Sequence, residues 1–197
     1  MLLQAITNPH IVSFLSDYKA RLVGALDALD LDAVSGAIGI LENARNDGRH
    51  IFVCGNGGSA STASHFACDL VKGASYMKDS KFRIMALTDS LPTITAYSND
   101  VGYESIFAEQ LKNFGKRGDV LVAISGSGNS PNVLRAMEYA TSIGCRTIAL
   151  TGRDGGKLGP MAEVEIQVST PHMGRIEDGH LIVCHMIGYY FMERVSS

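Results

Sequence analysis

From His50 onward the chain alternates short apolar runs with stretches of helical spacing, and this alternation restricts its fold more than any other feature. The runs lie at 51–54, 84–87, 120–124, 147–150 and 164–168. Between and after them, crossover helices are expected at 59–72, 91–98, 130–143 and 175–195, the last long and rich in apolar positions. Strand and helix in regular succession predict a parallel, doubly wound sheet with helices on both faces, an α/β fold of three layers. Ahead of the alternation, Ile11, Phe14, Leu15, Leu22, Leu26 and Leu29 recur near helical spacing. Val34, Ile38, Ile40 and Leu41 do so again after Asp32. Two amphipathic helices are therefore expected as an N-terminal extension.

Length and charge narrow the function classes. At 197 residues the chain suits one domain, with 1–48 supplying helices for packing or oligomerisation and 49–197 the α/β core and C-terminal helix. Its 17 basic and 20 acidic residues give a net charge of −3 with both signs scattered, so no nucleic-acid footprint stands out. No apolar run approaches the roughly 20 residues needed to cross a bilayer, so no membrane partner is expected. Residues 1–10 lack a basic segment followed by a long apolar one, which places the protein in the cytoplasm by default. Cys54, Cys68, Cys145 and Cys184 lie far apart without CxxC spacing, as expected of reduced and mostly buried thiols.

In doubly wound sheets ligands bind beyond the carboxyl ends of the strands, which directs attention to two loops. The first is Cys54, Gly55, Asn56, Gly57, Gly58, Ser59, between an expected strand and a helix. Glycines admit an anion close to backbone N–H groups, and a helix N-terminus adds partial positive charge. The plain alternative is a tight turn with Ser59 as N-cap. The second loop is Ser125, Gly126, Ser127, Gly128, Asn129, Ser130, directly after the run 120–124 and directly before a helix. Three hydroxyls and several amides converge there, a set that phosphate uses better than any other common ligand. A ligand-free Ser/Gly turn is the alternative.

Together these loops resemble the phosphosugar-binding signatures of sugar isomerase (SIS) domains, whose five-stranded sheet is flavodoxin-like. Cys54 to Ser59 with His65, Phe66 and Ala67 narrows the resemblance to the phosphoheptose isomerases. Asn99, Asp100, Gly102 and Tyr103 agree, as do Gly118 to Leu121, Leu150 to Gly156, and Arg175 and Ile176 with His180 and His185. The resemblance implies an aldose–ketose isomerase that converts sedoheptulose 7-phosphate into D-glycero-D-manno-heptose 7-phosphate for the heptose of lipopolysaccharide or capsule. It also implies a homotetramer with sites shared between subunits and one Zn²⁺ per subunit. Substrate contacts would fall on Asn56, Gly57, Gly58, Ser59, Asp69, Asn99, Asp100, Ser125, Gly126, Ser127, Ser130 and Glu177. Metal ligands would be His65, Asp69, Glu177 and His185, with Asp69 and His185 the catalytic pair. The same fold also serves non-catalytic regulatory modules and isomerases of other ketose phosphates.

The sequence departs from that family at three of these places. Asp69 stands where Glu is usual, Glu177 where Gln is usual, and Gly126 where threonine or another larger residue is common. Two histidines and two carboxylates still suit Zn²⁺. His65 and Asp69 are spaced i, i+4 on one helix face, which by itself fits an ordinary ion pair equally well. Glu177 and His185 are eight residues apart, about 12 Å along a helix axis and roughly 80° in direction. Periodicity alone would align Asp178 with His185 instead, and the choice of Glu177 follows from the resemblance.

Overall fold

The computed structural model of the protein describes residues 8–194. The reading of the first seven residues, and the expected end of the last helix at Val195, lie outside the described residues.

Five parallel strands form the sheet: β1 (His50–Gly55), β2 (Arg83–Ala86), β3 (Val120–Ser125), β4 (Arg146–Gly152) and β5 (Val164–Val168), in the order β2-β1-β3-β4-β5. In β1 and β3 every residue but the first of β1 is buried. Strands covered on both faces cannot alternate apolar with polar, so they read as unbroken apolar runs. Successive side chains still point to opposite faces. Ile51 and Val53 join one core, with Phe66, Val122, Ile166 and Val183, whereas Phe52 and Cys54 join the other, with Leu121, Ala123, Phe107 and Met137. These two cores are the interfaces of the expected three layers.

Among the described residues seven α-helices surround the sheet, the first of them packing against the last. α1 (Pro9–Asp27) and α2 (Leu31–Asn46) form the N-terminal extension. Asn8 caps the first through His10 N–H, and Asp30 caps the second through the N–H groups of Asp32 and Ala33. α3 (Gly58–Cys68), α4 (Leu91–Asp100), α6 (Pro131–Ser142) and α7 (Met173–Glu193) occupy the expected crossover and C-terminal positions. α5 (Ile106–Phe114) is an addition to the expected set. Its nine residues are hemmed by turn signals at Gly102 and Gly115, yet Ile106, Phe107 and Leu111 are fully buried and hold it to the sheet. The helix expected at 59–72 changes pitch at Asp69, where a π-helical turn (Asp69–Gly73) begins and Ala74 N–H reaches the Asp69 carbonyl. Among the described residues no helix is long and apolar enough to cross a membrane. Cys54 and Cys184 are buried as expected, whereas Cys68 is exposed.

With β1 and β3 adjacent and β2 on the far side of β1, the loops leaving β1 and β3 diverge. Their divergence opens a crevice at the carboxyl edge of the sheet, the usual ligand position in such folds.

Candidate active site

The loop after β3 is a cradle of hydroxyls. Ser125 Oγ lies 3.2 Å from Ser130 Oγ and 3.5 Å from Ser127 Oγ. Ser130 occupies the N-cap of α6, with Pro131 following, but makes no capping bond. Its hydroxyl faces Ser125, and because Pro131 has no N–H and Val133 N–H is held by Asn132 Oδ1, the cradle offers a ligand chiefly hydroxyls. Gly128 holds the loop in shape with φ of 63°, and a Cβ there would collide with the Gly155 carbonyl oxygen. Gly126, where the resemblance makes a larger residue common, is filled from outside by Met173 Sδ, 2.7 Å from where a Cβ would be.

The loop after β1 faces this cradle. Gly57, with φ of 54°, is the N-cap of α3, and Ser59 is buried inside the first turn, so Ser59 does not cap this helix. The Asn56 carboxamide pairs reciprocally with that of Asn132, both bonds being 2.8 Å, and its Oδ1 also accepts from the Tyr103 hydroxyl at 2.9 Å. The sequence does not single out Asn132 or Tyr103 as site residues, although Tyr103 closes the motif that begins at Asn99. Asn99 and Asp100 lie exposed at the end of α4, and their side-chain hydrogen bond, 2.7 Å, joins them to each other.

α3 and α7 run side by side in the same direction. Gly58 faces Glu177, His65 faces His185, Asp69 faces Gly188 and Gly73 faces Met192. Glycine at 58 and 188 brings the two helices close: a Cβ on Gly58 would meet the Glu177 carboxylate at 2.7 Å. The Glu177 carboxylate therefore sits at the N-terminus of α3, where the helix dipole favours negative charge. Between the helices lies a cleft of about 280 Å³ lined by Gly58, Ser61, Thr62, His65, Glu177, Asp178 and Leu181. Asp178, the residue periodicity favours, is engaged elsewhere and accepts from the Tyr18 hydroxyl of α1 at 2.5 Å.

At the far end of this cleft three donor atoms converge. His65 Nε2 is 2.8 Å from His185 Nε2 and 3.3 Å from Asp69 Oδ2, which is 3.9 Å from His185 Nε2. Asp69 Oδ2 is buried without a hydrogen-bond partner. Two imidazole nitrogens and an unpartnered carboxylate oxygen gathered this closely suit a divalent cation. Glu177, expected among the metal ligands, is not part of that cluster, since about two turns of α7 separate it from His185.

Behind the site, His180 is buried on α7 and its Nε2 lies 2.8 Å from the Thr151 carbonyl at the end of β4. Burial lowers its pKa to about 4, against a weaker opposing effect of the Thr151 bond, so it is neutral near pH 7. Burial and the charge of Asp69 both push the Cys184 thiol up, which keeps it a neutral apolar filler.

Known proteins resemble this chain in sequence and fold. The SIS domain family model matches residues 14–152. The phosphoheptose isomerase of Helicobacter pylori strain Shi470 is 39% identical over 170 residues, 86% of this chain and 88% of its own. The chain belongs to the phosphoheptose isomerase family. A probable phosphoheptose isomerase of Thermoplasma volcanium is likewise 39% identical, over 174 residues and 88% of each chain. The solved phosphoheptose isomerase of Neisseria gonorrhoeae superposes on this chain with a TM-score of 0.86 at 31% identity, covering 93% of this chain and 100% of that one. Beyond the family the likeness is one of fold alone: the Vibrio vulnificus NanR protein, solved with ManNAc-6P, matches with a TM-score of 0.67 at 16% identity.

Proposed function

We propose that this family member interconverts sedoheptulose 7-phosphate and D-glycero-D-manno-heptose 7-phosphate by proton transfer through an enediolate. The observation that carries the proposal is the pairing of two ends: a hydroxyl cradle at Ser125, Ser127 and Ser130, and a convergent His65, Asp69 and His185 cluster at the end of the cleft between α3 and α7. Phosphate in the cradle anchors the substrate, and that remote binding energy orients C1 and C2 at the reacting groups. Asp69 takes the proton from C1 of the ketose, leaving the enediolate, and returns it to C2. His185 moves the proton between the two oxygens and assists ring opening. Gly57, Gly58, Ser59 and Glu177 contact the chain of hydroxyls between the ends, with Asn99 and Asp100 reached from the rim.

His65 Nε2, Asp69 Oδ2 and His185 Nε2 would hold a Zn²⁺ ion, as the unpartnered Asp69 oxygen favours, leaving the second Asp69 oxygen and His185 Nδ1 as the atoms that carry protons. Such an ion would polarise the carbonyl and offset the charge of the enediolate. The proposal includes a cytoplasmic homotetramer, acting in heptose supply for a surface glycoconjugate, with sites completed by neighbouring subunits. Supporting that assembly, Ile11, Phe14 and Leu15 of α1 are 56%, 64% and 58% exposed and fall at helical spacing on one face.

Incubation with sedoheptulose 7-phosphate, followed by NMR with and without added Zn²⁺, tests the activity. Heptose 7-phosphate should accumulate to equilibrium. A folded, metal-loaded protein that leaves the ketose unchanged would refute the proposal and point to a binding module.

A further inference from the structure

The hydrogen bonds of Asn56 point to a clamp across the crevice. Asn56 belongs to the loop after β1, whereas Asn132 lies in the first turn of α6, immediately behind the hydroxyl cradle. Their carboxamides form a closed pair, and the Tyr103 hydroxyl, just before α5, adds a third bond to Asn56 Oδ1. Asn132 is 1% exposed, and its Oδ1 also accepts from Val133 N–H at 3.0 Å, so one side of the clamp is rigid. Both loops end strands of one sheet but feed helices on opposite faces, and among the described residues this pair is the side-chain link between them. We infer that Asn132 and Tyr103 are positioning residues: through Asn56 they hold the loop after β1 at a set distance from the phosphate cradle.

This inference rests on the proposed isomerase reading in supposing that one substrate touches both loops. A substrate gripped at two places is sensitive to their separation, and misplacement lowers the rate more than it weakens a one-point contact. Inorganic phosphate would use the cradle only. The clamp therefore affects a seven-carbon sugar phosphate and leaves inorganic phosphate alone, a distinction that a general loss of stability would not make.

Tyr103 is 53% exposed, so Tyr103→Phe should fold with an unchanged melting temperature. Removing its one hydrogen bond should lower kcat/KM for sedoheptulose 7-phosphate by about three- to ten-fold, with phosphate affinity, measured calorimetrically, unchanged. Asn132→Asp, which keeps the shape but loses the donor to Asn56, should show a larger fall. Amide hydrogen exchange of the 56–59 segment should quicken in Tyr103→Phe, with or without substrate present. Unaltered exchange and kinetics in Tyr103→Phe, or equal losses of phosphate and sugar-phosphate binding, would overturn the clamp. If the native protein fails to turn over the sugar phosphate, the isomerase reading falls, and the exchange measurement alone decides whether the clamp exists.

Discussion

Burial of His180 should make this protein lose stability in acid, and the size of the effect follows from its surroundings. Its Nε2 bonds the Thr151 carbonyl, which requires the proton on Nε2, and its Nδ1 is buried without a partner. Protonating Nδ1 would place a charge and an unsatisfied N–H in the core, and burial accordingly lowers the pKa from 6.5 to about 4. The unfolded chain binds the proton first as pH falls, so stability is lost from about pH 6.5 downward and the loss levels off below about pH 4. Two to three pKa units at 1.36 kcal/mol each correspond to about 3 kcal/mol, a large part of a typical folding free energy. Urea unfolding at a series of pH values measures it. His180→Gln keeps a donor for Thr151 without titrating, and should be somewhat less stable at pH 7.5 but show a much flatter slope between pH 6.5 and 4. A native and a Gln variant with parallel pH dependence would refute the assignment of the effect to His180.

Three other outcomes follow from the site. Gly128→Ala must put a side chain at left-handed φ and against the Gly155 carbonyl; costs of about 1–2 kcal/mol for the backbone and 1–3 for the clash should lower the melting temperature and abolish phosphate binding by calorimetry. Asp69→Ala should reduce turnover by about 10²- to 10⁴-fold with the fold intact by circular dichroism, and His185→Ala should do likewise. Zn²⁺ at about 100 times its dissociation constant should stabilise the native protein by about 2.7 kcal/mol. In calorimetric unfolding that gain should disappear in His65→Ala and on adding a chelator.

The strands are legible in the sequence because β1, β3 and β4 are buried on both faces, which leaves a continuous apolar signature at 51–54, 120–124 and 147–150. The hydroxyl cradle is legible for a related reason: Ser125 to Ser130 is contiguous in sequence. What stays hidden depends on through-space partners. Asn132 looks like any polar residue in a helical first turn until Asn56 is found opposite it, 76 positions earlier. The π-helical turn at Asp69 leaves no local pattern, since Asp69, Leu70, Val71, Lys72 and Gly73 suit an α-helix equally well. The family resemblance puts Glu177 beside the metal ligands, yet its carboxylate faces Gly58, because a glycine there leaves room that no residue count along α7 discloses.

The central claim is that one sugar phosphate reaches from the Ser125–Ser130 hydroxyls to the Asp69 and His185 side chains. A crystal structure of the protein with sedoheptulose 7-phosphate bound measures this directly. The phosphate oxygens should lie within hydrogen-bond distance of Ser125, Ser127 and Ser130, and C1 and C2 should lie against Asp69 and His185 of the same or a neighbouring subunit. A phosphate seated elsewhere, or a carbonyl end remote from Asp69 and His185 in every subunit, would contradict it.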